Sequence, residues 1–174
     1  MKNFVIGFLV GLVLFPIAVY LYVKLGFLSL ATTAKPAPFE ELLAHTALHA
    51  SIGKAADVTD KLPVNDDNLL TGAKEYRGHC AVCHGLPGQS KTHIAAGMFP
   101  KPPQLFEKDD MVTDDPEGET YWKVTNGIRL SGMPGFLASM PDQERWQVTM
   151  LLKHADKLPA PVQALLKQAP EASH

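Results

Sequence analysis

Both cysteines of the chain lie within one five-residue stretch, and this stretch constrains the fold more than any other feature of the sequence. The chain has 174 residues and only two cysteines, Cys80 and Cys83, and His84 follows the second directly. Two intervening residues place both sulfur atoms within one helical turn. Because two thiols and an imidazole are held so close together, we expect the surrounding chain to fold around a bound group.

The spacing C-x-x-C-H is the attachment signature of c-type haem. Each thiol adds across a porphyrin vinyl group to form a thioether, and the histidine binds the iron through one ring nitrogen. Three other interpretations compete. Half of a zinc site lacks a convincing second ligand pair, since His79 and His93 alone do not form one. A redox dithiol needs a βαβ context, and a disulfide over so short a loop stabilises little. We therefore predict one covalently bound haem c, attached through Cys80 and Cys83.

A segment of 20 residues without a charge, Phe4 to Val23, lies near the start of the chain. At 1.5 Å per residue it can cross a hydrocarbon core roughly 30 Å thick. A cleaved signal peptide is the alternative, but its apolar region is usually shorter. We predict an uncleaved single-pass anchor. Thioether attachment takes place outside the bacterial cytoplasmic membrane, so we expect a periplasmic haem domain and a cytoplasmic N-terminus.

The rest of the chain divides into a tether, one compact domain and a tail. A helical pattern runs from about Phe39 to Ala55, and a loosely attached tail is expected from Pro159. The predicted boundaries are a transmembrane anchor over 1–24, a tether with a juxtamembrane helix over 25–64, a haem domain over 65–158 and a C-terminal tail over 159–174.

Three helices are predicted in the haem domain, and no segment alternates as a strand does. The first begins at Asn65 or Asp66 and runs into the cysteine stretch. The second begins with Asp115 as its N-cap and ends at Asn126-Gly127. The third follows Ser139, which has the spacing of a capping box. The expected fold class is all-α.

On these residues the chain resembles the class I cytochromes c, and more closely their membrane-anchored bacterial members. Gly72, Tyr76 and Cys80 fall on one helical face, similar to the family's pattern before the haem motif. The resemblance covers Asn65 to about Leu158. It implies helices around one haem, with the first helix crossing the last, where Trp146 is the candidate aromatic.

The resemblance also implies the remaining contacts of the haem. Met133, in SGMPGF, matches the loop that supplies the methionine ligand of the iron opposite His84, and Met98 is the second candidate. A proline carbonyl is expected to accept the other ring N–H of His84. The residues implied for this carbonyl are Pro102 and Pro103, and those implied for the haem propionates are Trp122, Tyr121 and Arg129.

The leading functional interpretation is a membrane-tethered carrier of single electrons, not an enzyme, between redox proteins or membrane redox complexes. A fixed subunit of a membrane oxidoreductase complex is the first alternative. A haem sensor or peroxidase with an open iron position is the second. A formal net charge of −2 provides no basic surface for nucleic acid. The acidic stretch from Asp109 to Glu119 is a solvated face or a docking site for a basic partner. His45 and His49 are spaced for a metal, although solvated histidines are the simpler interpretation.

Overall fold

The computed structural model describes residues 1–60 and 62–168, and within these ranges the protein is all-helical, with no strand. Two compact units are present, Met1–Glu41 and Leu42–His174. The helices are α1 (Lys2–Lys24), α2 (Glu40–Ile52), α3 (Asp66–Glu75), α4 (Ala81–His84), α5 (His93–Gly97), α6 (Glu117–Asn126), α7 (Asp142–Lys153) and α8 (Ala160–Lys167). The predicted all-α fold is confirmed.

Helix α1 makes up most of the first unit. It contains 23 residues, includes Pro16, and buries none of its side chains against the protein. It is about 35 Å long at 1.5 Å per residue. Its most apolar window has a mean hydropathy of 2.6. By length and composition, α1 is compatible with a membrane anchor, and a signal sequence would have the same character.

The core of the second unit is built where α3 crosses α7. A Cβ atom placed on Gly72 of α3 would overlap the carbonyl oxygen of Gln147 on α7 and lie 2.6 Å from its carbonyl carbon. The two backbones therefore approach closely because position 72 has no side chain. The side chains around this crossing are almost fully buried; they include Leu69, Ala73, Tyr76, Val148 and Leu151. Burial of each leucine or valine among them contributes about 1.5–3 kcal/mol.

The structure confirms one predicted N-cap and contradicts two. The side chain of Asn65 accepts a hydrogen bond of 2.9 Å from the backbone N–H of Asn68, as expected for α3. Helices α6 and α7 are instead entered through Pro116 and Pro141, neither of which makes a side-chain cap. The predictions of an Asp115 cap and of a capping box at Ser139 are wrong.

The start of α7 is held by an arginine rather than by a capping serine. Arg145 donates hydrogen bonds to the carbonyl oxygens of Met140, at 2.7 Å, and Leu137, at 3.3 Å. It also bonds the carboxylate of Asp142 at 2.8 Å. A buried guanidinium thus satisfies two carbonyl groups of the segment before α7.

The chain after Pro159 is not loosely attached, so that expectation is wrong for residues 160–167. Helix α8 packs against α3, and Val162 and Leu166 have no exposed surface. Arg77 also donates to the carbonyl oxygens of Leu165 and Gln168, at 2.7 and 2.8 Å. Residues 169–174 of the predicted tail lie outside the described residues.

The juxtamembrane helix is shorter than predicted and continues differently. Helix α2 ends at Ile52 and is followed by a 3₁₀ turn over Gly53–Asp57, which packs on α6. A Cβ atom on Gly118 of α6 would overlap the carbonyl oxygen of Ala55 and lie 2.6 Å from that of Val58. Leu42 and Leu43 of α2 are exposed, but the segment after Ile52 is part of the packed unit.

Candidate cofactor-binding cleft

The cysteine stretch is a continuation of α3. After Glu75 the helix widens into a π-helical turn over Tyr76–Cys80 and then continues as α4, which ends at His84. The hydroxyl of the buried Tyr76 donates a hydrogen bond of 2.8 Å to the carbonyl oxygen of Gly85. Both ends of the stretch are therefore fixed by the domain core, and π-helical turns are frequent at functional sites.

A cleft with about 650 Å³ of empty space, part of it open to solvent, lies beside the stretch. One wall consists of Cys80, Cys83 and His84. The facing residues come from the proline-rich segment 98–103, from Val124 of α6 and from the loop 131–136. The lining is chiefly apolar, as it is in most cofactor sites.

His84 is held as a neutral imidazole with one free nitrogen. Its Nδ1 lies 2.9 Å from the carbonyl oxygen of Pro103, and since a carbonyl only accepts, Nδ1 must carry the proton. Burial lowers the pKa of His84, and the hydrogen bond to Pro103 opposes this effect. The ring is therefore neutral at pH 7, with the lone pair on Nε2, as a histidine that binds iron requires.

The two cysteines are free thiols, and the surroundings of Cys80 disfavour its thiolate form. Burial, followed by the nearby charges of Glu75 and Cys83, raises the pKa of Cys80 to about 12. Redox-active dithiols instead have lowered pKa values in electropositive surroundings. Among the described residues, no group of three or more His, Cys, Asp or Glu side chains could hold a metal. The dithiol and zinc interpretations therefore gain no support.

The loop that carries Met133 is fixed to the end of α6 by backbone hydrogen bonds. Ile128 N–H donates to the carbonyl oxygen of Met133 at 3.2 Å, and Phe136 N–H donates to that of Val124 at 3.0 Å. A Cβ atom on Gly135 would lie 2.7 Å from the carbonyl carbon of Asn126. The loop thus packs directly on the helix end and places Met133 in the lining of the cleft.

Met98 lines the same cleft. A Cβ atom on Gly132 would overlap the terminal methyl group of Met98 and lie 3.4 Å from its sulfur. The thioether of Met98 therefore packs on the backbone next to Met133. Met98 and Met133, the two residues predicted as candidates for the second iron ligand, therefore line the same cleft, and both side chains are half-buried.

The other predicted site residues divide into two groups. Pro102 and Pro103 line the cleft, whereas none of the three residues implied for the propionates does. Tyr121 stacks on Trp146 with ring centroids 3.8 Å apart, and its hydroxyl donates to the carboxylate of Asp142. Trp146 therefore packs at the α6–α7 contact, while Gly72 meets the backbone of Gln147. Trp122 is half-buried and Arg129 is exposed.

Gln104 also belongs to this site, although it was not predicted from the sequence. Its side-chain amide nitrogen lies 3.2 Å from the carbonyl oxygen of Cys83 and 3.3 Å from that of Pro102. Its backbone N–H donates to the carboxylate of Asp110 at 2.8 Å. No sequence pattern indicates a glutamine at this place. Asp110, one member of the predicted acidic stretch, therefore accepts a hydrogen bond within the domain and does not only face solvent.

The residues present fit a c-type haem. Two unpaired thiols lie two residues apart beside an apolar cleft, and the histidine after them keeps one ring nitrogen free. A thioether ligand is available from the opposite loop. The raised pKa of Cys80 also suits thioether formation, in which an S–H bond adds across a vinyl group. His45 and His49, by contrast, are exposed on α2 and lie away from these residues in sequence.

Comparison with known protein families supports the same class. Residues 67–150, slightly less than half of the chain, match the family described as cytochrome c oxidase, cbb3-type, subunit III. No curated protein matches the chain. A solved structure of the Kuenenia stuttgartiensis reducing HAO-like protein complex Kustc0457/Kustc0458 is similar, with 21% identity and a TM-score of 0.45. That alignment covers 61% of this chain and 56% of the other, so the chain spans just over half of that protein's length.

The helical fold, the cysteine–histidine stretch and the family match define a c-type cytochrome domain. Domains of this class carry haem iron and transfer electrons. The chain therefore contains a c-type cytochrome domain, which indicates electron transfer, and an apolar helix near its N-terminus.

Proposed function

We propose that the protein is a membrane-tethered cytochrome that carries single electrons through one haem c, whose iron His84 and Met133 would bind. The observation that carries this proposal is that both residues line one cleft together with the two free cysteines. Haem iron, when bound there, supplies the one-electron chemistry.

Covalent attachment uses Cys80 and Cys83. Each thiol would add across one vinyl group of the haem, with sulfur bonded to one carbon and the thiol proton transferred to the neighbouring carbon, so no oxidant or reductant is needed. The raised pKa of Cys80 keeps that proton available at neutral pH. Two thioethers would then hold the group beside α4.

The protein residues control the redox site by ligation and by excluding water. A neutral imidazole opposite a thioether raises the reduction potential relative to harder ligand pairs. The hydrogen bond from His84 Nδ1 to Pro103 fixes the ring orientation. The backbone hydrogen bonds from Phe136 and Leu137 to the end of α6 hold the Met133 loop in place, so little reorganisation would accompany electron transfer.

The absorption spectrum of the oxidised, haem-loaded full chain in detergent tests the ligation. A thioether on ferric iron produces a weak long-wavelength charge-transfer band. We expect the band in the parent chain and in Met98→Ala, and we expect Met133→Ala to lack it. Loss in Met98→Ala alone would assign the ligand to Met98. Absence from the parent would favour an open iron position and a sensor or peroxidase.

Helix α1 supports the tethered arrangement, with the haem domain on the periplasmic side of the cytoplasmic membrane. Its 23 residues, apolar composition and lack of buried side chains are those of a lipid-facing segment. Tethering raises the effective concentration of the carrier near membrane redox complexes. An uncleaved anchor predicts that the mature protein keeps Met1 or Lys2 and is released from membranes by detergent but not by high salt.

A fixed role in a membrane oxidoreductase is the second candidate, because the matching family is described as a subunit of a cbb3-type cytochrome c oxidase. The cleft would be the same in either case. Gentle detergent extraction followed by size-exclusion chromatography separates the two: a subunit elutes with large partner chains in fixed stoichiometry, whereas a carrier elutes alone.

A further inference from the structure

The segment that carries the Pro103 carbonyl has few hydrogen-bond donors of its own. Three of its residues, Pro100, Pro102 and Pro103, are prolines, which have no backbone N–H. A segment of this kind cannot be fixed by a regular backbone ladder. The carbonyl that accepts from His84 must therefore be held in place by neighbouring groups.

Gln104 provides such a group. Its side chain is buried, with 5% of the residue exposed, and its amide nitrogen has the carbonyl oxygens of Cys83 and Pro102 as acceptors. Cys83 directly precedes His84, and Pro102 directly precedes Pro103. One side chain thus links the two residues that lie immediately before the two partners of the imidazole–carbonyl hydrogen bond.

Gln104 is itself held by contacts of its side chain and of its backbone. A Cβ atom on Gly85 would lie 2.5 Å from the side-chain oxygen of Gln104, so the glutamine occupies space that only a glycine leaves free. On the other side, the backbone N–H of Gln104 donates to Asp110. The next residue, Leu105, is buried in the core. Gln104 therefore connects the motif helix to the proline-rich segment through a rigid bridge.

We propose that Gln104 is a positioning residue for His84: it holds the Pro103 carbonyl against Nδ1 and thereby maintains the tautomer and basicity of the iron-binding imidazole. The inference rests on the proposed haem ligation by His84. A hydrogen bond at the second nitrogen makes a histidine a stronger donor to a metal. A stronger donor favours ferric iron, so loss of the bridge should shift the reduction potential to a more positive value.

Gln104→Leu removes the amide donors at similar volume. We expect the exchange rate of the His84 Nδ1 proton, measured by ¹⁵N NMR on the reduced, haem-loaded full chain in detergent, to rise about fivefold. That change corresponds to about 1 kcal/mol, the net value of one neutral hydrogen bond. We also expect a more positive midpoint potential in spectroelectrochemistry of the same sample.

Gln147→Leu is the matched control. Gln147 is a buried glutamine of the same domain, with 4% of the residue exposed, and its amide bonds Asn68 rather than the cleft. The control should lose stability to a similar degree but keep the parent exchange rate and potential. If Gln104→Leu does not accumulate with haem, Gln104→Asn, which keeps an amide of shorter reach, is measured instead and should change both quantities in the same direction.

Three results would overturn the inference. The first is an unchanged exchange rate and potential in the Gln104 variant that is measured. The second is an equal change in Gln147→Leu, which would indicate a general loss of stability. The third is a parent chain without a haem spectrum, which would overturn the proposed function as well; a normal spectrum with unaffected exchange would overturn only the role of Gln104.

Discussion

The crossing of α3 and α7 provides the sharpest prediction about the fold. In Gly72→Ala, the new Cβ would lie 2.6 Å from the carbonyl carbon of Gln147, whereas ordinary contact begins at 3.4 Å, so the backbones must separate by about 0.8 Å or more. Overpacking of this kind costs typically 1–3 kcal/mol. Because the obstacle is backbone, we expect a cost at the upper end of this range. Alanine gains about 1 kcal/mol of helix propensity over glycine, so the expected net loss is about 2 kcal/mol.

Gly78→Ala is the matched control for this prediction, because a Cβ on Gly78 of the same helical run would meet nothing within 4 Å. Thermal unfolding of the haem-loaded full chain, followed by circular dichroism, measures both variants. For a domain of about 100 residues, 2 kcal/mol lowers the Tm by about 8–16 °C. We expect such a decrease in Gly72→Ala and none in Gly78→Ala. Equal Tm values for the two variants would refute the close crossing.

The remaining predictions concern other contacts of the same unit. Gly118→Ala should detach the segment after Ile52 and speed trypsin cleavage after Lys54, measured by gel densitometry; cleavage as slow as in Gly78→Ala would argue against that contact. Arg145→Leu leaves two carbonyl oxygens without a donor and should cost about 1–3 kcal/mol in denaturant unfolding, more than Arg145→Lys. In the haem-free chain at pH 8, Cys80 should react with iodoacetamide more slowly than in urea and faster as the pH rises, because its folded pKa is about 12; identical rates in urea and buffer would contradict the buried thiol.

Local signals in the sequence predicted much of the helical framework. Asn65 caps α3 through a side-chain bond to Asn68, and Gly127 ends α6 with a positive φ of 67°. Both features depend on one residue and its immediate neighbours. The N-caps of α6 and α7 were mispredicted because each helix begins later than the polar residue expected to cap it, after Pro116 and after Pro141. The contact of Arg145 with the carbonyl groups before α7 cannot be read from spacing either.

Helix α8 was missed for a related reason. Its sequence has only two fully buried side chains, Val162 and Leu166, on a helix of eight residues. So short a helix is not stable alone, and it forms because α3 and Arg77 are present to pack and bond with it. A helix that depends on such tertiary contacts has only a weak periodic pattern in its own sequence.

The candidate site was accessible from the sequence where covalent chemistry dictates the spacing. Cys80, Cys83 and His84 must be adjacent, and the structure places them in one wall. Met133 and Met98 were both recognised as candidates, and the ligand assignment between them stays a prediction. The role proposed for Gln104 depends on two carbonyl groups 2 and 21 residues away, which no short pattern encodes. Trp122 and Arg129 as propionate partners also stay predictions.

Intact-mass spectrometry of the full chain, produced with a cytochrome c maturation system and denatured before analysis, tests the central claim most directly. The account predicts a mass increased by that of one haem, which survives denaturation because two thioethers hold it, and a loss of this increase when Cys80 and Cys83 are both replaced by Ser. A mass equal to that of the polypeptide alone, with both thiols free to alkylate, would contradict it.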